Sequence, residues 1–129
     1  MKKLATLIVC SMTMMLTACG GDTHESLMDE ISSMMDEMTS ILKGVKDESS
    51  AKAAVSKLES LGKKGQDLSE RMKKLGEPSE EQEKELTAKM MGMAGKAMVM
   101  LGEIARIKGD EKLNAILGSA VEKLSNVME

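Results

Sequence analysis

The chain has 129 residues, which is room for one domain, and its 18 Lys and Arg against 21 Asp and Glu give a net charge of −3. That sign argues against a nucleic-acid partner, because binding phosphates needs clustered cations, and the absence of Phe, Tyr and Trp excludes aromatic stacking platforms. Both cysteines, Cys10 and Cys19, lie near the N-terminus, so the remaining residues supply no disulfide, thiolate metal site or cysteine nucleophile.

The first residues have the pattern of an export signal. Lys2 and Lys3 form a positive head, and the 13 residues 4–16 that follow carry no charge. This stretch is too short to span a bilayer, which needs about 20 apolar residues. It ends in the motif Leu16-Thr17-Ala18-Cys19. The segment resembles the signal of bacterial lipoproteins, whose motif is a Leu, two small residues and an invariant Cys.

The resemblance implies that a leader, residues 1–18, is removed. Cys19 would then be the new N-terminus, with diacylglycerol on its sulfur and an acyl chain such as palmitate on its nitrogen. Two or three chains hold a protein firmly at a membrane, whereas one gives marginal binding. In such lipoproteins an Asp after the cysteine favours the inner membrane, so Gly20 implies the outer membrane, facing the periplasm, in a host with two membranes. The alternative is an ordinary secretory signal that happens to contain a cysteine.

Apolar spacing in residues 27–45 predicts the first helix of the exported part. The apolar row steps by three and four, and consists of Leu27, Ile31, Met34, Met38, Ile41 and Val45. A parallel row widens it, made of Met28, Met35 and Leu42, and acidic side chains occupy the opposite face. The pattern predicts an amphipathic helix of roughly 20 residues.

Three further segments repeat this period and predict helices of roughly 25, 28 and 18 residues. Their rows are Ala51, Ala54, Leu58, Leu61, Gly65, Leu68, Met72, Leu75; Leu86, Met90, Met93, Ala97, Met100, Ile104, Ile107; and Leu113, Leu117, Ala120, Leu124, Val127. The breaks contain helix stops and caps: Asp47, Ser49, Ser50; Gly76 and Pro78; Ser79 with Gln82 as a capping box; Gly109 and Asp110.

The predicted fold is all-α. Because short connections make consecutive helices antiparallel, we expect an up-and-down bundle of four amphipathic helices with coiled-coil-like packing, after an N-terminal signal helix. The predicted organisation is the leader, then the lipidated cysteine with a short tether in 19–23, and the bundle in 24–129. The tether residues reach about 14 Å at most, which keeps the bundle close to the lipid surface.

Small residues leave an alternative to this compact bundle. Ala51, Ala54 and Gly65 are weak core residues, so a looser hairpin that completes its core only in an oligomer stays open. Gly92, Gly95 and Gly102 each cost about 1 kcal/mol of helix propensity. We interpret these three glycines as sites of close helix packing, with a flexible, opening region as the alternative.

Methionine is the most distinctive residue type, with 15 in the chain. One cluster consists of Met90, Met91, Met93, Met98 and Met100, and a second of Met34, Met35 and Met38. Thioethers are soft ligands that suit Cu(I) or Ag(I). Most of these residues lie on the apolar rows, however, where Met fills space in a core without aromatic residues. We therefore interpret them as core, with a soft-metal site or reversible oxidant scavenging as the alternatives.

The charged residues indicate no catalytic site. The acidic pairs of the first helix, Asp29-Glu30 and Asp36-Glu37, are interpreted as a solvated face, because helical spacing gives no loop to wrap Ca²⁺. The lysine pairs of the second helix, Lys63-Lys64 and Lys73-Lys74, are interpreted in the same way, with pairing to the acidic face of the first helix as the alternative. Catalysis needs a nucleophile, a base and an orienting group, and His24 is the only conventional base near neutral pH. We predict no enzymatic activity and no cofactor.

Three functions remain open on these grounds. The leading hypothesis is a lipid-anchored envelope module, non-catalytic, whose exposed helix faces contact another envelope protein or a second copy. The second is a periplasmic Cu(I) or Ag(I) binding protein that uses Met90 to Met100. The third is a bundle that carries lipids or other amphiphiles by opening along its Met-lined seam.

Overall fold

The computed structural model describes residues 21–127, and side chains as far as Leu124. This part of the chain contains no strand. It forms four helices: α1 His24–Gly44, α2 Glu48–Leu75, α3 Glu80–Gly109 and α4 Glu111–Val127. The predicted all-α class and the four predicted helices are confirmed, with lengths of 21, 28, 30 and 17 residues. The predicted leader and Cys19 lie outside the described residues.

Local side-chain chemistry sets the helix ends. In a capping box the N-cap side chain accepts a hydrogen bond from the third helical residue, whose side chain accepts one in return. α1, α2 and α3 each begin with such a box, at Thr23, Asp47 and Ser79. Asp110 caps α4, with its Oδ1 3.1 Å from the backbone nitrogen of Leu113. The predicted caps are confirmed at Asp47, Ser79 and Asp110, and the box at Thr23 is an addition.

α1 and α2 form an antiparallel hairpin whose register is fixed by ion pairs. Arg71, near the end of α2, lies 2.8 Å from Glu30, near the start of α1. Lys64, further back along α2, lies 3.8 Å from Glu37, further on along α1. The two partners therefore advance in opposite directions along the chain.

α3 lies beside α1 and runs parallel to it. Lys89, in the first half of α3, lies 2.6 Å from Asp29 in the first half of α1. Arg106, near the end of α3, donates a hydrogen bond of 2.8 Å to the carbonyl oxygen of Leu42, near the end of α1.

α4 lies beside α2 and is parallel to it. Lys112 at the start of α4 lies 3.7 Å from Glu48 at the start of α2. Further along, the side chain of Leu124 lies 3.8 Å from the point where a Cβ on Gly62 would stand. Helix directions therefore alternate along the chain, as an up-and-down bundle requires.

The order of the helices around the bundle differs from the simplest expectation. α1 and α4 each contact both α2 and α3, whereas the pairs α2/α3 and α1/α4 make no close backbone contact. The hairpins α1–α2 and α3–α4 lie side by side, and the connection 76–79 crosses from one corner to the opposite corner. Consecutive helices α2 and α3 are thus diagonal partners.

The core consists of Leu, Ile, Val, Ala and Met side chains from all four helices. The weak positions Ala51, Ala54 and Gly65 are all buried. Met90 was predicted to be buried on the core row of α3, but its side chain is 60% exposed, so that prediction is wrong. The reason is the reach of α4: its side chain Leu124 is level with the middle of α2, and α2 continues beyond it. Within residues 21–127, one half of the bundle therefore has four helices and the other has three.

Candidate functional site

The outward face of α3 carries a second apolar row, which we call the outer seam. Its residues alternate in steps of three and four and are all exposed: Ala88, Met91, Gly95, Met98, Gly102, Ala105 and Gly109. Met91 and Met98 are 75% and 74% exposed. The single charge within residues 90–102 belongs to Lys96, and its ammonium is turned to α1, 2.6 Å from Asp36. A helix that is apolar on all sides is normally buried, so this face is suited to a partner.

The structure corrects the interpretation of three glycines in α3. A Cβ added at Gly92, Gly95 or Gly102 would meet no atom within 4 Å, apart from its own helix backbone. These glycines therefore make no close helix contact within the described part of the chain. Gly95 and Gly102 instead form gaps along the outer seam.

An apolar groove of about 650 Å³ lies in the three-helix half of the bundle, and we call it the three-helix groove. Its lining comes from α1, α2 and α3: Ile31, Met34, Met35, Gly65, Leu68, Ser69, Met72, Lys73, Ala97, Met100 and Leu101. Among the side chains that the structure describes, none from α4 lines the groove. The apolar rows of the sequence place most of these residues in the core but do not show the open space between them.

One end of the three-helix groove is polar. Ser69 and Lys73, one turn apart on α2, line it together with apolar side chains. Lys73 is exposed, and its ammonium has no ion-pair or hydrogen-bond partner in the part of the chain that the structure describes. Lys73 is therefore solvated, as the sequence indicated, and the alternative of an ion pair with α1 is not found there.

Arg71 of α2 pairs with acidic side chains at the start of the described chain. Its guanidinium lies 2.8 Å from Asp22 through Nε and 2.8 Å from Glu30 through Nη2. These hydrogen bonds, reinforced by the charge of Arg71, lower the pKa of both carboxyls. Through Asp22, the predicted tether thus contacts Arg71 at the end of α2. Of the four lysines, Lys64 makes the alternative ion pair with the acidic face, to Glu37.

His24 forms a hydrogen-bond contact between two helix ends. It is the first residue of α1 and is buried, and its Nε2 lies 3.0 Å from the carbonyl oxygen of Gly76. Gly76 ends α2 with a φ of +73°, a left-handed conformation that glycine adopts readily. The pair joins the start of α1 to the end of α2.

The structure distributes the candidate soft-metal residues over several faces of α3. Met100 is buried and Met93 is half-buried against the core, whereas Met90, Met91 and Met98 are exposed. Met91 and Met98 belong to the outer seam, which faces away from the core row of Met93 and Met100. Within residues 21–127, no group of three or more His, Cys, Asp or Glu side chains could hold a metal ion.

None of the helices that the structure describes is both long enough and apolar enough to cross a membrane. Comparisons with known proteins found no match of this chain to a family model, a curated protein or a solved structure.

Proposed function

We propose that this chain is a lipid-anchored, non-catalytic module of the bacterial cell envelope that associates with a second copy of itself through the outer seam. The observation that carries the proposal is the exposed apolar seam on α3. Exposed apolar patches of this kind mark interaction sites on soluble domains. The Leu16-Thr17-Ala18-Cys19 motif supports the anchor.

The residue types of the outer seam favour a second copy as the partner. Large and small residues alternate along it, with Met91 and Met98 separated by Gly95. When two such seams pair, each methionine of one copy can enter the gap that a glycine leaves in the other, which is knobs-into-holes packing. The seam is therefore complementary to itself, as a two-fold symmetric interface requires.

A membrane anchor would support association through a seam that buries only a small area. Glycine contributes little buried area, so we expect weak pairing of free molecules in solution. Confinement to one membrane raises the effective concentration of the copies for each other. Copies anchored at the same N-terminal residue also share one orientation, which favours parallel seams.

Disulfide crosslinking in isolated envelopes tests this proposal. In the processed chain the Cys19 sulfur would be a thioether, so an introduced cysteine would be the sole free thiol. Met98→Cys, at the centre of the outer seam, is expected to give disulfide-linked dimers. Ser56→Cys, on an exposed face of α2, and the wild-type chain are expected to give none. Ala88→Cys lies at one end of the seam and crosslinks only if the two seams are parallel.

Two results would contradict the proposal in different ways. Equal crosslinking of Met98→Cys and Ser56→Cys would show random collision and remove the seam as an interface. Dimers of the wild-type chain through Cys19 would show a free thiol and remove the anchor. Palmitate labelling of the wild-type chain, with Cys19→Ser as the control, tests the anchor directly.

A further inference from the structure

We infer that the three-helix groove is a binding site for a free fatty acid, with the acyl chain between α1, α2 and α3 and the carboxylate at Lys73. This inference goes beyond the proposed function. It uses a different surface from the outer seam and does not require Cys19 to be acylated, so either proposal can fail without the other.

The size and shape of the groove suit a single hydrocarbon chain. Its volume of about 650 Å³ falls within the range of roughly 300 to 1,000 Å³ that is typical of small-molecule sites. On α2 its lining extends from Gly65 to Lys73, which corresponds to about 12 Å at the helical rise. The groove is therefore longer than one side chain and runs along the helix axis, as an extended tail would.

The walls are apolar and adaptable. Met34, Met35, Met72 and Met100 line the groove from three different helices. Methionine is unbranched and has three rotatable bonds, so its side chain adjusts to ligands without a fixed shape. A flexible acyl chain is a ligand of that kind, and its burial removes apolar surface from water on both sides.

The distribution of charge selects an anionic head group. Among the described residues of the lining, Lys73 is the one that carries a charge, and it stands at one end of the groove with Ser69 one turn away. Since Lys73 has no ion-pair partner within the described residues, its ammonium is free to bind a carboxylate. An extended peptide fits poorly, because its backbone amides need more hydrogen-bonding partners than these two side chains supply.

The absence of aromatic residues permits a direct binding measurement. Leu101→Trp places the chain's sole tryptophan at the rim of the groove, at a position that is 57% exposed in the wild-type protein. The processed chain, from Cys19 to the C-terminus, is reconstituted in phosphatidylcholine vesicles. It is then titrated with bromine-labelled dodecanoate, which quenches tryptophan fluorescence on contact. We expect saturable quenching. The same titration of Ser56→Trp, on an exposed face of α2, should show none.

Chain length and head group give the specificity. Each methylene buried in the groove is expected to tighten binding up to about fourfold, the equivalent of about 0.8 kcal/mol, until the groove is full. Octanoate, decanoate and dodecanoate should therefore compete with the labelled acid in increasing order. Lys73→Gln should weaken dodecanoate binding by about two- to fivefold, as suits a solvent-exposed charge pair, and Lys63→Gln, on the same helix outside the groove, should leave it unchanged.

Variants that fill the groove provide the decisive comparison. Ala97→Leu and Ser69→Leu each add volume to the lining from a different helix, and circular dichroism shows which of them keeps its helices. Loss of saturable quenching in a folded variant supports the site. Unchanged quenching in a folded variant would overturn it.

The remaining outcomes identify other occupants and would also overturn the proposal. Equal, non-saturating quenching of Leu101→Trp and Ser56→Trp would mean that the acid only partitions into the vesicles. Quenching that appears only when Cys19→Ala is added would mean that the chain's own acyl group fills the groove. A spectral shift of Leu101→Trp that depends on protein density, without quenching, would mean that a second copy covers it.

Discussion

Two leucine-to-alanine substitutions test whether the bundle is closed in one half and open in the other. Leu117 on α4 is fully buried, and Leu68 on α2 is 2% exposed but lines the three-helix groove. In well-packed cores this substitution costs about 2.7 to 5.0 kcal/mol, rising by about 24 cal/mol for each Å³ of cavity left behind. Leu117→Ala leaves a closed cavity, whereas Leu68→Ala only enlarges a space that is already open.

We therefore expect Leu117→Ala to lower the free energy of unfolding by about 4 to 5 kcal/mol and Leu68→Ala by about 2.5 to 3 kcal/mol. Urea unfolding followed by far-ultraviolet circular dichroism measures the difference, which corresponds to roughly 4 to 8 °C in melting temperature per kcal/mol. Leu101→Ala is the control at an exposed position and should cost less than about 1 kcal/mol. A cost for Leu68→Ala equal to or above that for Leu117→Ala would show that the groove is closed and the reasoning wrong.

Three further predictions use the same unfolding assay or peptide mapping. Gly92→Ala should stabilise the protein by about 0.5 to 1 kcal/mol, because its Cβ meets open space in mid-helix, whereas Gly76→Ala should destabilise it, because its φ is positive; the opposite signs would contradict both assignments. Dilute peroxide should oxidise Met98 well before Met38, which is 2% exposed, and mass spectrometry of the peptides would show equal rates if α3 did not present that face. Arg71→Met should weaken the pH dependence of stability in acid: the two carboxyls it binds have lowered pKa values, so their contribution is present above the ordinary values of 3.8 and 4.5 and is lost as the pH falls below them. An unchanged pH profile would mean that Arg71 does not hold these carboxyls in the folded state.

Helix positions and caps could be predicted from the sequence because their causes are local. The box of Ser79 with Gln82 and the cap at Asp110 each depend on a few neighbouring residues. The apolar rows likewise report which face of each helix is buried, and for α1 and α2 the rows correspond well to the core. Alternating helix directions follow from the short connections.

The reach of α4 and the diagonal placement of α2 and α3 could not be predicted, because they depend on how two hairpins pack. A periodic row shows that a face is apolar but not whether a neighbour extends far enough to cover it. Met90 illustrates this limit: it belongs to the apolar row of α3 as predicted, but its side chain is exposed and not buried. The sequence did contain a signal for the outer seam. Residues 90–102 include one charged side chain among thirteen positions, and a helix with one face in water normally has more charged side chains than this.

The pairing of Arg71 with Asp22 has a mechanical consequence for an anchored chain. It ties the residue that lies three positions after Cys19 to the end of α2. In the lipid-anchored form that we propose, at most about 11 Å of extended backbone would then separate the acylated residue from a fixed point on the bundle. The bilayer would lie next to the end of the bundle where α1 begins and α2 ends. The turns after α1 and α3 lie at the opposite end, roughly 30 to 45 Å away along the helices, and would be the part most accessible to molecules in the aqueous phase.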